Sequence, residues 1–222
     1  MTEQQGSDIN DGLKESAGQG VGRPRARTVR PERRHAHAIL DTPVETALDL
    51  LTLPSKAAIL EFVCERVKTL IGEGIVAVHS VEADTTTIRR IAGLDETRTE
   101  VAERLLRGRI VNMSISGLSE EARARLLTGR LHKVEGGLYE LLFHNVPQST
   151  CESLEATAGL TQAYAIGLRQ SNRLFGDVAI LAHKGAQLDV PAIETLVGQA
   201  SMALARMQAQ EAAETGRAEL QS

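Results

Sequence analysis

QAYAIGLRQSNRLFGDVAILAHKG (Gln162–Gly185) is the stretch whose reading decides the fold. Two apolar runs flank a Ser171-Asn172 turn, which predicts two strands joined as a hairpin. The chain then closes with one long helix over Val190–Thr215. Its apolar stripe is Ile193, Leu196, Val197, Ala200, Ala203, Leu204 and Met207, spaced three and four apart. The same pattern stands in reverse near the start. Ile59, Phe62, Val63, Val67, Leu70 and Ile71 mark an amphipathic helix over Ser55–Ile71, with Ser55 as N-cap and Gly72 and Gly74 as its stop. GIVAVHSVEA (Gly74–Ala83) and TTIRRIAG (Thr86–Gly93) follow as a second antiparallel pair around Asp84-Thr85-Thr86. Hairpins of strands flanked by terminal helices predict an α+β fold, with an antiparallel sheet of five or six strands. The helices at Ser55–Ile71 and Val190–Thr215 should pack together on one face.

Between the hairpins the period is helical over Glu96–Arg107 and Ser119–Leu127, where Glu120 and Glu121 suit the start of a helix. RLHKVEGG (Arg130–Gly137) reads as a short strand. Gly137–Ser149 fits neither period, and Ser149–Gly159 reads as a short helix. Residues 35–54 form a helical lead-in, broken near Pro43. Residues 1–34 carry almost no large apolar side chains and cannot bury enough surface to offset their ordering entropy. They are expected to form a disordered basic arm or linker, with six Arg and two Pro in Val21–Arg34. The domain proper is assigned to residues 55–215, and 216–222 to a tail.

Composition excludes several function classes. The net charge is −4. Residues 1–40 hold seven Lys/Arg against five Asp/Glu, and the remainder eighteen against twenty-four. An acidic body with one basic segment is not the concentrated basic surface that nucleic acid requires. No apolar run approaches the ~18–20 residues that span a bilayer, and no secretory pattern opens the chain. Two cysteines, Cys64 and Cys151, make no disulfide framework, so a reducing, cytoplasmic setting is expected. Cys64 lies in an apolar helical pattern and reads as a small buried hydrophobe. Gly136-Gly137 lacks the spacing and the Lys-Ser/Thr of a phosphate loop, and no Gly-x-Ser-x-Gly is present. The adjacent Glu120 and Glu121 do not face one another. No catalysis is expected.

The run RLFGDVAILAHKGAQLDVPAIETLVGQASMALARMQAQEA (Arg173–Ala212) resembles the end of a GAF domain, in its strand, acidic turn and closing helix with Leu196, Gln199, Ala200, Ala203, Leu204 and Arg206. Ser119–Tyr139, and the overlapping run LLTGRLHKVEGGLYEL, are similar to GAF domains of multidomain PAS/GAF sensor histidine kinases of methanogenic archaea. The likeness covers about residues 47–212. It implies a signal-input domain of a signal-transduction protein, working with a histidine kinase or other signalling modules. Such a domain binds a small ligand, haem or a linear tetrapyrrole between the sheet and a lid at Leu138–Leu154, and relays through its terminal helices. A ligand-free scaffold for dimerisation or docking is the alternative. The chain has no histidine-kinase boxes. It also lacks the Asn-Lys-x-n-Phe-x3-Asp-Glu pattern of cyclic-nucleotide GAF domains, so a cyclic nucleotide is not implied.

Candidate ligand-lining residues follow from scarcity. With no Trp, two Tyr and three Phe, Tyr139, Phe143 and Tyr164 are most of the aromatic content. These three and Cys151 are expected around a common cavity. Cys151, at a helix start that would lower a thiol pKa, reads either as an ordinary half-buried cysteine, as a tetrapyrrole or haem attachment, or as a redox-sensitive thiol. His144 is the candidate axial ligand if haem binds. His79, His132 and His183 lie on separate segments, with no metal-ligand spacing. Past Met207 the closing helix turns to Gln, Ala and Glu, good helix formers with little to bury. A helix that outruns its domain predicts a homodimer through the terminal helices.

Overall fold

The computed structural model describes residues 43–83 and 85–220. The arm over 1–34 and the first part of the lead-in, residues 35–42, lie outside them. A six-stranded antiparallel sheet forms the centre, in the order β3-β2-β1-β6-β5-β4. Its strands are β1 (Ile75–Glu82), β2 (Thr85–Ala92), β3 (Ser114–Ser116), β4 (His132–Lys133), β5 (Gln162–Gln170) and β6 (Arg173–Ala182). Each hairpin puts sequence neighbours side by side. The β1–β6 pairing, with Ala77 opposite Ala179 and His79 opposite Asp177, joins the two hairpins at the middle. The expected α+β architecture is therefore present, with six strands. β3 was not anticipated: Ser-Ile-Ser is too short to display a period, and only its pairing with Thr85–Thr87 makes it a strand.

One face of the sheet is covered by α2 (Lys56–Ile71) and α7 (Val190–Leu220). Ser55 caps α2, its hydroxyl accepting from the Ala58 amide at 3.1 Å. Ile59, Val63 and Val67 of α2 and Ile193, Val197 and Ala200 of α7 pack with Val76, Val78, Ile166, Val178 and Ile180 of the sheet in one buried cluster. Cys64 lies within it, its thiol 3.6 Å from the Val76 carbonyl oxygen. Burial pushes that thiol's pKa up to about 12, as befits a small core hydrophobe. α1 (Pro43–Thr52) lies against α7. It begins at the proline that marked the break, the first helical position, where a missing amide hydrogen costs nothing. α7 continues to Leu220, past the expected end at Thr215, so most of the expected tail is helix.

The other face carries α3 (Glu96–Leu106), α4 (Glu120–Leu127), α5 (Gly137–Leu141) and α6 (Gln148–Ala158). The ambiguous stretch resolves into α5 and a tight turn in which Phe143 and His144 take φ of +46° and +61°. Such a turn has neither helical nor strand period. Among the described residues no helix is long and apolar enough to cross a membrane.

The helix-covered face should dominate stability. Ile180 is fully buried at its centre. Truncation Ile180→Ala is expected to cost about 2–5 kcal/mol of unfolding free energy, read by equilibrium urea denaturation. A loss below about 1 kcal/mol would show that this face does not carry the fold.

Candidate functional site

Strand alternation sorts side chains by size. Toward α2 and α7, β1, β5 and β6 send Val76, Val78, Tyr164, Ile166, Leu168, Val178 and Ile180. The residues between them are small or polar: Ala77 and His79, Ala163, Ala165 and Gly167, Asp177 and Ala179. The registers align them in rows. Ala77 faces Ala179, which faces Ala165; His79 faces Asp177, which faces Gly167. The second face of the sheet is thus a shallow floor beneath α3–α6. A Cβ at Gly167 would collide with the backbone carbonyl of Leu126, so glycine is what lets the end of α4 rest on the strand.

Two spaces lie over this floor. One is an apolar cavity of about 110 Å³, walled by Ile75, Ala77, Ile88, Leu142, Leu154 and Ala179 among others. The second is a polar cleft of about 360 Å³ beside α4 and β4, with Ala122, Leu126, His132, Phe143, Ala165 and Asp177 in its wall. Leu141 contributes to both. His79 lines the first and Asp177 the second. They are joined by a hydrogen bond of 2.8 Å between Nδ1 and Oδ2, with each residue 3 % exposed. A carboxylate only accepts, so Nδ1 carries the hydrogen. The other carboxylate oxygen, Oδ1, is buried without a hydrogen-bond partner. His132, at the cleft, has its pKa lowered by burial, against the opposing pull of the Arg130 carbonyl.

The residues singled out from sequence are placed differently from one another. Tyr139, Phe143 and Cys151 share one hydrophobic cluster with Ile88, Ile115 and Leu142. Tyr164 is parted from them: it packs against the opposite cluster with α2 and α7, because it alternates with Ile166 and Leu168. Phe143 reaches the wall of the polar cleft. Tyr139 stacks on the His144 ring with centroids 4.4 Å apart. The His144 ring is exposed and bonded through Nε2 to Glu140 at 2.8 Å. Cys151 is 1 % exposed and lines neither space. Its pKa is raised to about 11, first by burial and then by Glu155 and Glu152. The expected depression by a helix end is overcome by desolvation. The residues that the sequence reading missed are the floor itself and its His79–Asp177 pair. Their signal was present: an acid inside RLFGDVAILA, and small residues at every second position of QAYAIGL.

With the geometry in place, the solved structures supply a comparison. The chromophore-binding domain of an unusual bacteriophytochrome from R. palustris superposes with a TM-score of 0.56 at 13 % identity, over 82 % of this chain and 65 % of that one. The GAF domain of the Acinetobacter phosphoenolpyruvate-protein phosphotransferase matches with a TM-score of 0.52 at 12 % identity, over 77 % and 94 %. The GAF domain/HD domain protein from Geobacter sulfurreducens gives 0.51 at 16 % identity, over 70 % and 96 %. The fold is that of a GAF domain. No family model and no curated protein matches the sequence, and nothing in these comparisons supports a methanogen-type origin.

A covalently held tetrapyrrole or a haem does not fit the residues proposed for it. Thioether formation needs a thiol at the wall of the ligand space, and Cys151 is turned into a packed cluster, its thiol aimed at the Val146 carbonyl oxygen. An axial ligand must reach the ligand, and His144 is on the surface with Glu140. The apolar cavity, at about 110 Å³, also falls short of the ~300 Å³ at which pockets for drug-sized ligands begin.

Both thiols should therefore be inert in the folded chain. At pH 8 a thiol with a pKa near 11 is ionised in roughly one molecule per thousand, and the thiolate is the reactive form. Titration with an aromatic disulfide reagent is expected to give no fast-reacting thiol natively and two in denaturant. A stoichiometric fast reaction at Cys151, identified by peptide mass, would contradict this placement. The folded-state pKa values lie above those of an unfolded chain. Stability from the two thiols is thus complete below about pH 8.5 and is lost as pH rises toward 11 and beyond.

Proposed function

We propose that this chain is a GAF-family sensory input domain that holds a small apolar ligand against the alanine floor and relays its occupancy through α1 and α7. The observation that carries the reading is the asymmetry of the sheet. One face is filled by large side chains, and the other is kept small at Ala77, Ala165 and Ala179 beneath an apolar cavity. A cavity of comparable size in another protein stays dry and takes benzene, so the ligand scale is a single small ring or a short chain. The domain acts by binding and not by catalysis: its two thiols are buried and held protonated. A cytoplasmic setting suits two unpaired cysteines, and a histidine kinase or other signalling module is the proposed recipient.

The relay needs an output surface. Val44, Leu48 and Leu51 on α1 are 68, 56 and 47 % exposed, and Met202 on α7 is 58 % exposed. α1 is tied to α7 by Gln199 donating to the Pro43 carbonyl at 3.0 Å and Arg206 donating to the Leu51 carbonyl at 2.8 Å. This apolar outer surface favours self-association, and it is also what a ligand-free scaffold would use. The two readings part on ligand response, because a ligand shifts a conformational equilibrium only through different affinity for the two states.

Benzene is the probe for the first reading. It is expected to raise the thermal midpoint of the full chain, and the rise should disappear in Ala158→Leu and Ala179→Leu, which fill the cavity. An equal rise in wild type and both variants would exclude a ligand space there. For the outer surface, sedimentation over a hundredfold concentration range is expected to show weak dimers. Leu48→Glu and truncation after Gln208 should each reduce them. Monomers at every concentration would move signalling to another surface.

A further inference from the structure

Asp177 has one more acceptor than its fold uses. Oδ2 takes the His79 Nδ1 hydrogen at 2.8 Å, whereas Oδ1 is buried with no partner. An unmade hydrogen bond to a buried carboxylate is among the costlier defects a fold can carry. The side chain is 5 % exposed, and its residue forms part of the wall of the polar cleft. The cleft, at about 360 Å³, lies in the range of small-molecule sites, ~300–1,000 Å³. It is the larger of the two spaces and, unlike the apolar cavity, mixes polar and apolar walls.

The other charged side chains of the cleft already have partners. Arg125 pairs with Glu121 at 3.4 Å, Glu135 with Lys133 at 3.2 Å, and Glu140 with His144 at 2.8 Å. His132 is biased toward its neutral form by burial. The unmet demand is for a hydrogen-bond donor, delivered at Asp177 between the end of α4 and the aromatic ring of Phe143. A cationic N–H donor to Oδ1 would make the stronger, charge-assisted hydrogen bond that a carboxylate accepts, and the apolar liners Leu126, Leu141 and Phe143 favour a flat body behind it.

We infer that the polar cleft is a second ligand site, separate from the apolar cavity, for a small planar organic cation of the amidinium or guanidinium class, bound through Asp177 Oδ1. His79 holds the carboxylate in place from the other side. The site does not depend on the apolar-ligand reading, because it turns on Asp177 and a cationic probe, and Asp177 does not line the apolar cavity.

Three isosteric probes test it against the full chain by calorimetry or by amide chemical shifts: benzamidine, benzamide and benzoate. The expected order of affinity is benzamidine, then benzamide, with benzoate silent. Asp177→Asn keeps an acceptor for His79 but turns the free oxygen into a donor, and should weaken benzamidine at least tenfold. Ala122→Leu fills the cleft from α4 without touching Asp177 and should abolish binding. Circular dichroism checks that each variant folds; if Asp177→Asn does not, the order of the three probes and the Ala122→Leu result decide. Benzoate binding as tightly as benzamidine, benzamidine unaffected by either variant, or no binding by the wild-type chain would each overturn the proposal. Benzene response in the same samples reports the apolar cavity independently.

Discussion

The structure depends on a period of two in three strands. β1, β5 and β6 form the middle of the sheet, and their side chains must point alternately to its two faces. Large residues on one parity make a face that α2 and α7 can bury, each fully buried Val, Leu or Ile contributing about 1.5–3 kcal/mol. That burial frees the opposite parity from carrying the fold. Ala77, Ala165, Gly167 and Ala179 can then be small, and the short helices α3–α6 close over the floor without filling it. Stability and site are thus separated by sheet face. A register slip of one residue would exchange them and destroy both.

The His79–Asp177 pair sits on the lenient side of that division. Removing water from two polar groups is costly, and a pair is retained only where its geometry is good. Here the register sets the geometry: the two residues are directly opposite across β1 and β6. The β-bulge at Val78/His79 in the β1–β2 pairing increases local twist at the same point. A Cβ at neighbouring Gly176 would collide with the His79 carbonyl, so the two strands approach closely just where the polar pair lies. The outcome is a buried polar pair between an apolar space, which His79 lines, and a polar one, which Asp177 lines.

Much of this fold could be read from the sequence, and the physical reason is length. The strands over Ile75–Glu82, Thr85–Ala92, Gln162–Gln170 and Arg173–Ala182 and the helices α2 and α7 repeat their period several times. Ser55 and Ser119 cap helices as their position suggested, accepting from Ala58 and Ala122. β3 and α5 have three and five residues, too few for a period to be distinct. The candidate site was harder to read. Aromatic scarcity drew attention to Tyr164, yet its parity with Ile166 and Leu168 assigns it to the helical face. Cys151 was judged by its place at a helix start, whereas burial decides its chemistry. The floor was visible as alternating small residues, but small residues attract no attention in a search for reactive groups. Only the pairing of strands makes a surface from them.

A ligand space matters to signalling only if something connects it to an output helix. Glu194, in the second turn of α7, supplies a connection. Its Oε1 accepts the Leu131 amide hydrogen at 3.0 Å, and its Oε2 pairs with Arg130 at 2.6 Å. These bonds, the Leu131 amide first, hold its pKa below the usual carboxylate range. The next residue, His132, begins β4 and lines the polar cleft. β4 is a two-residue edge strand held by Ala165 and Tyr164, so it has few bonds of its own to resist displacement. The body of the sheet, by contrast, is locked between packed helices and cannot shift without disrupting the main core. Among the elements around the cleft, β4 is the shortest, and the two residues before it are bonded to Glu194 of α7. Occupancy of the polar cleft, as distinct from the apolar cavity, would thus have a path to the output helix, from His132 through Leu131 and Arg130 to Glu194.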